Sequence, residues 1–313
     1  MDDDSSLIVQ YSMPSRRPSI WMVWLFASRP ATLLASITPV LAGTAAAVGV
    51  GGLRVPLHEG GFIAALLAAL FLQIAANYSN DLFDFERGAD REDRIGPIRV
   101  THAGWVTPFQ IRCATILALA MAVGSGIYLT MLVGWPVLAI GAAAIIACLT
   151  YTGGPWPYGY HGFGEPIVFF FFGIVAVMGS FFIQAERITL TSFAVALPLA
   201  LTVTALLTIN NLRDLPSDLK SGKRTLAVIL GTKITRIQIQ IVLLSPFMII
   251  FVFCACDVLL WWALQTWLLL PFAVYLGFKV HQASTGSQFN TLLKHSGGLH
   301  FCFGVLLGLS FFW

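Results

Sequence analysis

Charge is what this sequence lacks. Asp, Glu, Lys and Arg make up 11% of its 313 residues, less than half of the roughly 25% usual in soluble domains. A soluble protein of this makeup could not cover its own surface with polar groups. That excludes an ordinary soluble enzyme and a disordered chain. It also excludes a nucleic-acid partner, which demands a dense basic surface. The net charge of +3 is too small to name a partner by itself. Cysteine is scarce too, and the five are odd in number. Cys254-Ala-Cys256 is not a zinc spacing, so the cysteines are expected to be small buried hydrophobes. The six histidines contain no helical i, i+4 pair that would suggest a metal. The opening Met1-Asp2-Asp3-Asp4 lacks the positive n-region of a cleavable signal peptide.

What is present is hydrophobic length. The chain is 57% hydrophobic with a mean hydropathy of +0.81. Spanning helices need about 20 apolar residues. Nine stretches qualify: 30–50, 61–82, 111–133, 135–152, 164–184, 190–212, 236–256, 258–278 and 296–313. The expected fold is therefore an all-α polytopic membrane protein. Residues 1–29 would form a cytoplasmic tail and an interfacial segment, Trp21 to Phe26, and residues 30–313 a single transmembrane domain. Pro30 suits the first helical position, which leaves Arg29 at the membrane surface. Sixteen of the eighteen Lys and Arg residues fall in the N-tail and the loops after spans two, six and eight. The positive-inside rule then places these segments, and the N-terminus, in the cytoplasm, as expected of a multi-pass protein of the cell (inner) membrane.

Two of these loops carry chemistry. In Asn77-Tyr-Ser-Asn80-Asp81-Leu-Phe-Asp84 the four polar residues stand at i, i+3, i+4 and i+7, one face of a helix. Polar groups stacked at the end of a membrane helix must face a protein interior or a wet cavity. Two carboxylates so close ionise together only beside a cation, and oxygen ligands suit Mg²⁺, which binds through one or two carboxylates plus substrate phosphates. The second cluster repeats the pattern with Asn210, Asp214 and Asp218 at i, i+4 and i+8, although Pro216 is a candidate helix end. Lys223 and Arg224 follow and can neutralise phosphate oxygens. This is no P-loop, since Ser217 stands where its first glycine belongs. The clusters lie four spans apart, which makes spans one to four and five to eight a candidate internal repeat. Two carboxylate clusters with cations imply a diphosphate. Its place at a membrane implies a lipid tail, hence a polyprenyl diphosphate. Ionisation would leave an allylic cation, shielded from water by the apolar bundle.

At this point Asn80-Asp81-x-x-Asp84 and Asp214-x-x-x-Asp218 resemble the two aspartate-rich motifs of the UbiA superfamily of intramembrane aromatic prenyltransferases. The likeness runs from Arg29-Pro30-x-Thr32-Leu33 to the last helix, and the MenA branch, the 1,4-dihydroxy-2-naphthoate polyprenyltransferases, is nearest. Asp93-Arg94-Ile95-Gly96-Pro97-Ile98-Arg99, Pro157 to Gly164, Met178-Gly179-Ser180 and the stretch from Asn210, Asn211 and Arg213 to Leu226 carry it. The commoner pattern has a third Asp where Gly88 stands, and Asp90 is the substitute. The resemblance implies a nine-helix bundle, Mg²⁺ held by Asp81, Asp84, Asp90, Asp214 and Asp218, and membrane lipid around the bundle. It implies transfer of a polyprenyl group to 1,4-dihydroxy-2-naphthoate with loss of CO₂ and pyrophosphate, for menaquinone or phylloquinone. Asp81→Asn or Asp214→Asn is then expected to abolish turnover in a folded protein.

Other residues keep two readings. Tyr151, Tyr158 and Tyr160 stand at the cytoplasmic end of the fourth span, and a ring there, Tyr151 before the others, could stabilise a carbocation or anchor the interface. Glu165 could orient an acceptor hydroxyl or serve a helix dipole. Arg29, Arg94 and Arg99 could grip diphosphate or acceptor carboxylate, or set topology. Rival functions are a related enzyme with another acceptor (4-hydroxybenzoate, homogentisate), a divalent-cation transporter and a lipid-binding scaffold. The transporter is disfavoured because both acidic clusters lie at helix ends rather than at the midplane.

Overall fold

A computed structural model describes residues 18–49, 52–88, 96 and 98–313. The N-terminal tail, Asp90 and Arg94 lie outside the described residues. Among those residues the regular structure is entirely helical. A short helix α1 (Ile20–Ser28) leads through Arg29 into α2 (Pro30–Val48). There follow α3 (Glu59–Glu86), α4 (Pro108–Val133), α5 (Trp135–Thr150), α6 (Gly164–Ala185), α7 (Leu190–Lys220), α8 (Leu226–Ala255), α9 (Trp261–Gln282) and α10 (Gly286–Phe312). Eight of these, α2 to α4 and α6 to α10, are long and apolar enough to cross a membrane. The expected fourth span is α5, whose 16 residues fall short of the usual 20. Among the described residues, eight helices thus meet the length and composition of a span, and the remaining expected span is a shorter apolar helix.

Local chemistry explains the starts. Pro108 and Thr107 open α4, and Thr107 and Gln110 form a reciprocal capping box. Thr285 and Gln288 do the same for α10. That box starts the last helix ten residues earlier than the hydropathy of 296–313 suggests. Similarly, α3 runs on to Glu86 and α7 to Lys220, so both acidic clusters are helical. Pro216 does not end α7. It forfeits one backbone hydrogen bond near the helix end, where neighbouring turns and helices hold the chain in place. Gly231 sits at φ 75° and breaks α8 after its first turn, a conformation open to glycine without a Cβ penalty.

The long helix α7 lies at the centre, with α2, α6, α8 and α10 packed on it. Its buried Val195, Leu199, Ala205 and Ile209 join Phe247 and Ile250 of α8 and Leu299 and Phe303 of α10 in the main core. Helix α6 approaches closely: a Cβ on Gly173 would collide with the Ala200 side chain. Such small-residue contacts are how membrane helices gain packing energy where lipid offers no hydrophobic drive. Gly173 lies within a π-helical turn, Phe169–Val175, that widens α6 there. Helix α3 pairs with α4, and α5 packs chiefly on α3 and α4 without one fully buried residue. Helix α1 leaves Trp21, Leu25 and Phe26 exposed while Val23 and Ala27 pack on α3. Of the cysteines only Cys254 is buried; Cys113, Cys256 and Cys302 are exposed on the bundle surface. In lipid an apolar thiol needs no burial in protein, which is why the expectation of buried cysteines fails.

Candidate active site

The ends of α3 and α7 that carry the two motifs open into one cavity of about 1300 Å³. Asn77, Asn80 and Asp84 line it from α3, and Asn210, Asn211, Arg213, Asp214 and Asp218 from α7. Arg29, Arg99, Tyr151 and Lys223 complete this polar end. Beyond it the wall becomes apolar, with Leu72, Ile145, Phe171, Phe172, Met178 and Phe182. The lining runs along α3 from Ala65 to Asp84, roughly 28 Å at a helical rise of 1.5 Å per residue. Val123, Ile127, Leu138 and Ile140 of α4 and α5 belong to this apolar lining and are exposed.

Asp84 is the hub of the first motif. It is 1% exposed. Its Oδ2 accepts from Arg99 at 2.5 Å, and its Oδ1 from Tyr160 at 2.6 Å and Lys223 at 3.0 Å. Lys223 therefore ties the loop after the second motif to the first motif. Its ammonium also lies 4.6 Å over the Tyr160 ring, and the Arg87 guanidinium 5.6 Å from the same ring. Burial, and next the Asp84 charge, push the Tyr160 phenol well above its ordinary range, so it is a neutral donor.

The four polar residues of α3 do not act on one surface. Relative to Asn77, Asn80 is turned about 60° one way and Asp81 about 40° the other. Asp81 faces the 98–106 loop, where its carboxylate accepts the backbone N–H groups of Val100 at 3.0 Å and Thr101 at 3.2 Å. It fixes the segment that carries Arg99 and does not line the cavity. Asn77 donates to the Ser28 carbonyl at 2.8 Å and the Thr32 hydroxyl at 2.9 Å. That clamps the turn at Arg29, which has a left-handed backbone at φ 50°. Asn80 accepts from Thr152 at 2.9 Å.

On α7, Arg213 grips Asp214 with two parallel bonds of 2.7 Å. It also donates to Asn210 and Asn290, each at 2.9 Å. Such a planar fork is specific to arginine. Asp218 accepts from Thr225 at 3.4 Å. Asn211 donates to Glu165 at 2.9 Å. Glu165 is buried behind the cavity wall rather than on it, and its second oxygen has no hydrogen-bond partner among the described residues. Tyr151 meets Tyr158 edge-on at 5.3 Å. The Arg224 side chain is exposed and off the cavity; its backbone N–H donates to the Tyr160 carbonyl at 3.0 Å.

Tyr158 and Tyr160, expected beside Tyr151, also line the cavity, whereas sequence reasoning overlooked Thr152, Asn290 and Lys294 on its wall. Asn290 precedes the apolar run of the last span. The Thr285–Gln288 box was the signal that α10 begins before it.

The donors at the polar end are hard oxygens: carboxylates of Asp84, Asp214 and Asp218, and amide oxygens of Asn80 and Asn210. Among the described residues no three carboxylate, imidazole or thiol side chains gather into a cage. That donor set fits Mg²⁺, which completes its shell with water and substrate phosphate rather than with protein alone.

The profile of the UbiA prenyltransferase family matches residues 20–308. The chain belongs to this family. A UbiA family relative from Mycobacterium tuberculosis, a 1,4-dihydroxy-2-naphthoate octaprenyltransferase, is 36% identical over 277 residues, covering 88% of this chain and 91% of the relative. The 1,4-dihydroxy-2-naphthoate octaprenyltransferase of Escherichia coli is 38% identical over 227 residues, 70% of this chain and 72% of its own. A solved UbiA homolog from Archaeoglobus fulgidus, bound to GPP and Mg²⁺, superposes with a TM-score of 0.58 at 14% identity, over 91% of this chain and 99% of the homolog. The UbiA fold and the helical content together make this an integral, multi-pass membrane protein.

Proposed function

We propose that this UbiA family member transfers a polyprenyl group from polyprenyl diphosphate to 1,4-dihydroxy-2-naphthoate, with residues 30–313 acting as one catalytic unit. The observation that carries the reading is a single cavity, charged at the two motifs and apolar beyond them. A diphosphate head belongs at the first end and an isoprenoid tail along the second. The names of its relatives support the naphthoate acceptor. The 16 basic residues on the motif side support a cytoplasmic site and a cytoplasmic N-terminus in the cell membrane.

The chemistry follows from the lining. Arg29, Arg99, Arg213 and Lys223 line the polar end and supply positive charge for the diphosphate oxygens. Asp84, Asp214 and Asp218 would hold Mg²⁺, which when bound supplies charge neutralisation for the departing pyrophosphate. The apolar wall excludes the water that would quench the allylic cation left by C–O cleavage. Tyr151 presents an electron-rich ring to this region. The ring carbon bearing the carboxylate attacks the cation, and CO₂ leaves in place of a proton, so no strong protein base is required. Asn210 and Asn211 supply amide groups for the acceptor. Glu165, behind Asn211, holds that amide in orientation. Exit of CO₂ and pyrophosphate leaves a prenylated naphthoquinol.

The test is turnover by purified protein in detergent with Mg²⁺, a polyprenyl diphosphate and alternative acceptors. Product from the naphthoate alone supports the assignment. Product only from 4-hydroxybenzoate or homogentisate overturns the acceptor.

A further inference from the structure

The carboxylate that best suits a metal is already occupied by the protein's own cations. Both Asp84 oxygens are engaged, by Arg99 on one side and by Lys223 and Tyr160 on the other. A divalent ion approaching this carboxylate meets the Arg99 and Lys223 charges first, and like charges disfavour it. The two cations differ in freedom. The Arg99 side chain is 6% exposed and that of Lys223 15%. The backbone around Lys223 is pinned: its N–H donates to the Asp218 carbonyl at 2.9 Å, and the next N–H to the Tyr160 carbonyl at 3.0 Å. Any movement there is a swing of the flexible lysine side chain across the Tyr160 ring.

We propose that Lys223, positioned by Tyr160, is an exchangeable counter-ion. It holds Asp84 while the cavity is free of diphosphate, and it transfers to the diphosphate on binding, which opens Asp84 Oδ1 to the metal. Metal and prenyl diphosphate therefore enter together, and metal alone binds poorly. Tyr160 is the positioning residue. Its hydroxyl shares Oδ1 with the ammonium, and its ring face carries the ammonium on its path. The inference rests on the reading that this end takes a divalent metal and a prenyl diphosphate. It does not depend on the identity of the acceptor.

The experiment uses Mn²⁺ as a spectroscopic probe with the full chain in detergent and no acceptor present. Free Mn²⁺ is followed by electron paramagnetic resonance, with and without pyrophosphate, after correction for the Mn²⁺–pyrophosphate complex. Wild type is expected to bind Mn²⁺ about tenfold more tightly when pyrophosphate is present, a difference of about 1.4 kcal/mol. Lys223→Met should bind Mn²⁺ alone about as tightly as wild type does with pyrophosphate, and lose most of the pyrophosphate enhancement. Lys223→Arg should restore the wild-type pattern, and Tyr160→Phe should fall between. A purely structural lysine would lower stability without raising affinity for metal alone. Equal Mn²⁺ affinity of wild type and Lys223→Met in the absence of pyrophosphate overturns the exchange. Absence of Mn²⁺ binding by wild type even with pyrophosphate overturns the metal reading beneath it.

Discussion

Asp81→Asn separates two accounts of the first motif. From the sequence, Asp81 is a metal ligand whose loss spares the fold. In the structure its carboxylate is 2% exposed and accepts two backbone N–H groups, from Val100 and Thr101. A hydrogen bond to a charged group contributes about 1.5–3 kcal/mol, and an orphaned buried donor costs about 1–3 kcal/mol more. Asparagine keeps one acceptor oxygen and turns an NH₂ group toward the other backbone N–H. One charge-assisted bond is lost and one donor is stranded, so the expected destabilisation is about 3–5 kcal/mol. The loop that fails is the one carrying Arg99, the partner of Asp84. Thermal unfolding in detergent, followed alongside Mn²⁺ binding with pyrophosphate, is the assay. The expected result is a clearly lower unfolding temperature and a raised KM for prenyl diphosphate, with Mn²⁺ still bound below that temperature. An unchanged unfolding temperature with Mn²⁺ binding abolished would refute the reasoning and make Asp81 a ligand.

Further predictions concern the rest of the cavity. Arg213→Lys keeps the charge but cannot make the paired bonds to Asp214; kcat/KM should fall at least about tenfold, from a loss of about 1.4 kcal/mol or more, as steady-state assay will show. A side chain at Gly179 meets open cavity, since nothing lies within 4 Å of a built Cβ. Gly179→Phe should spare a short geranyl donor and depress turnover of an octaprenyl donor, measured by product mass. Gly173→Leu should prevent stable folding, because even a Cβ there collides with Ala200; size-exclusion chromatography of the purified variant will report it. Burial raises the Tyr158 and Tyr160 phenols above their ordinary value of 10.0. The folded state then holds protons that the unfolded state releases, so stability is full below about pH 10 and falls above it. A melting series from pH 8 to 11 should show that decline, and Tyr160→Phe should lessen it.

Much of this was written in the sequence. Hydropathy gave most of the helices, because a spanning segment must be long and apolar whatever its neighbours. Both motifs could be placed at helix ends, and the structure brings Asp84, Asp214 and Asp218 to one cavity. What periodicity could not give is which edge of a helical face meets which neighbour. Asp81 and Asp84 are three residues apart, yet one holds a loop and the other the cavity, because the 98–106 segment packs on one flank of α3. Asn290 was hidden for a similar reason, because it meets the site through a partner remote in the chain, Arg213. Helix ends beyond the apolar core, as at Lys220 and Gly286, are set by caps and packing rather than by hydropathy.

The most direct measurement of the central claim is a product assay. Purified protein receives Mg²⁺, a polyprenyl diphosphate and 1,4-dihydroxy-2-naphthoate, with an EDTA control and mass detection. The account predicts a Mg²⁺-dependent product lighter by CO₂ than the simple adduct, and none in EDTA. A product that retains the carboxylate, or turnover unaffected by EDTA, would contradict it.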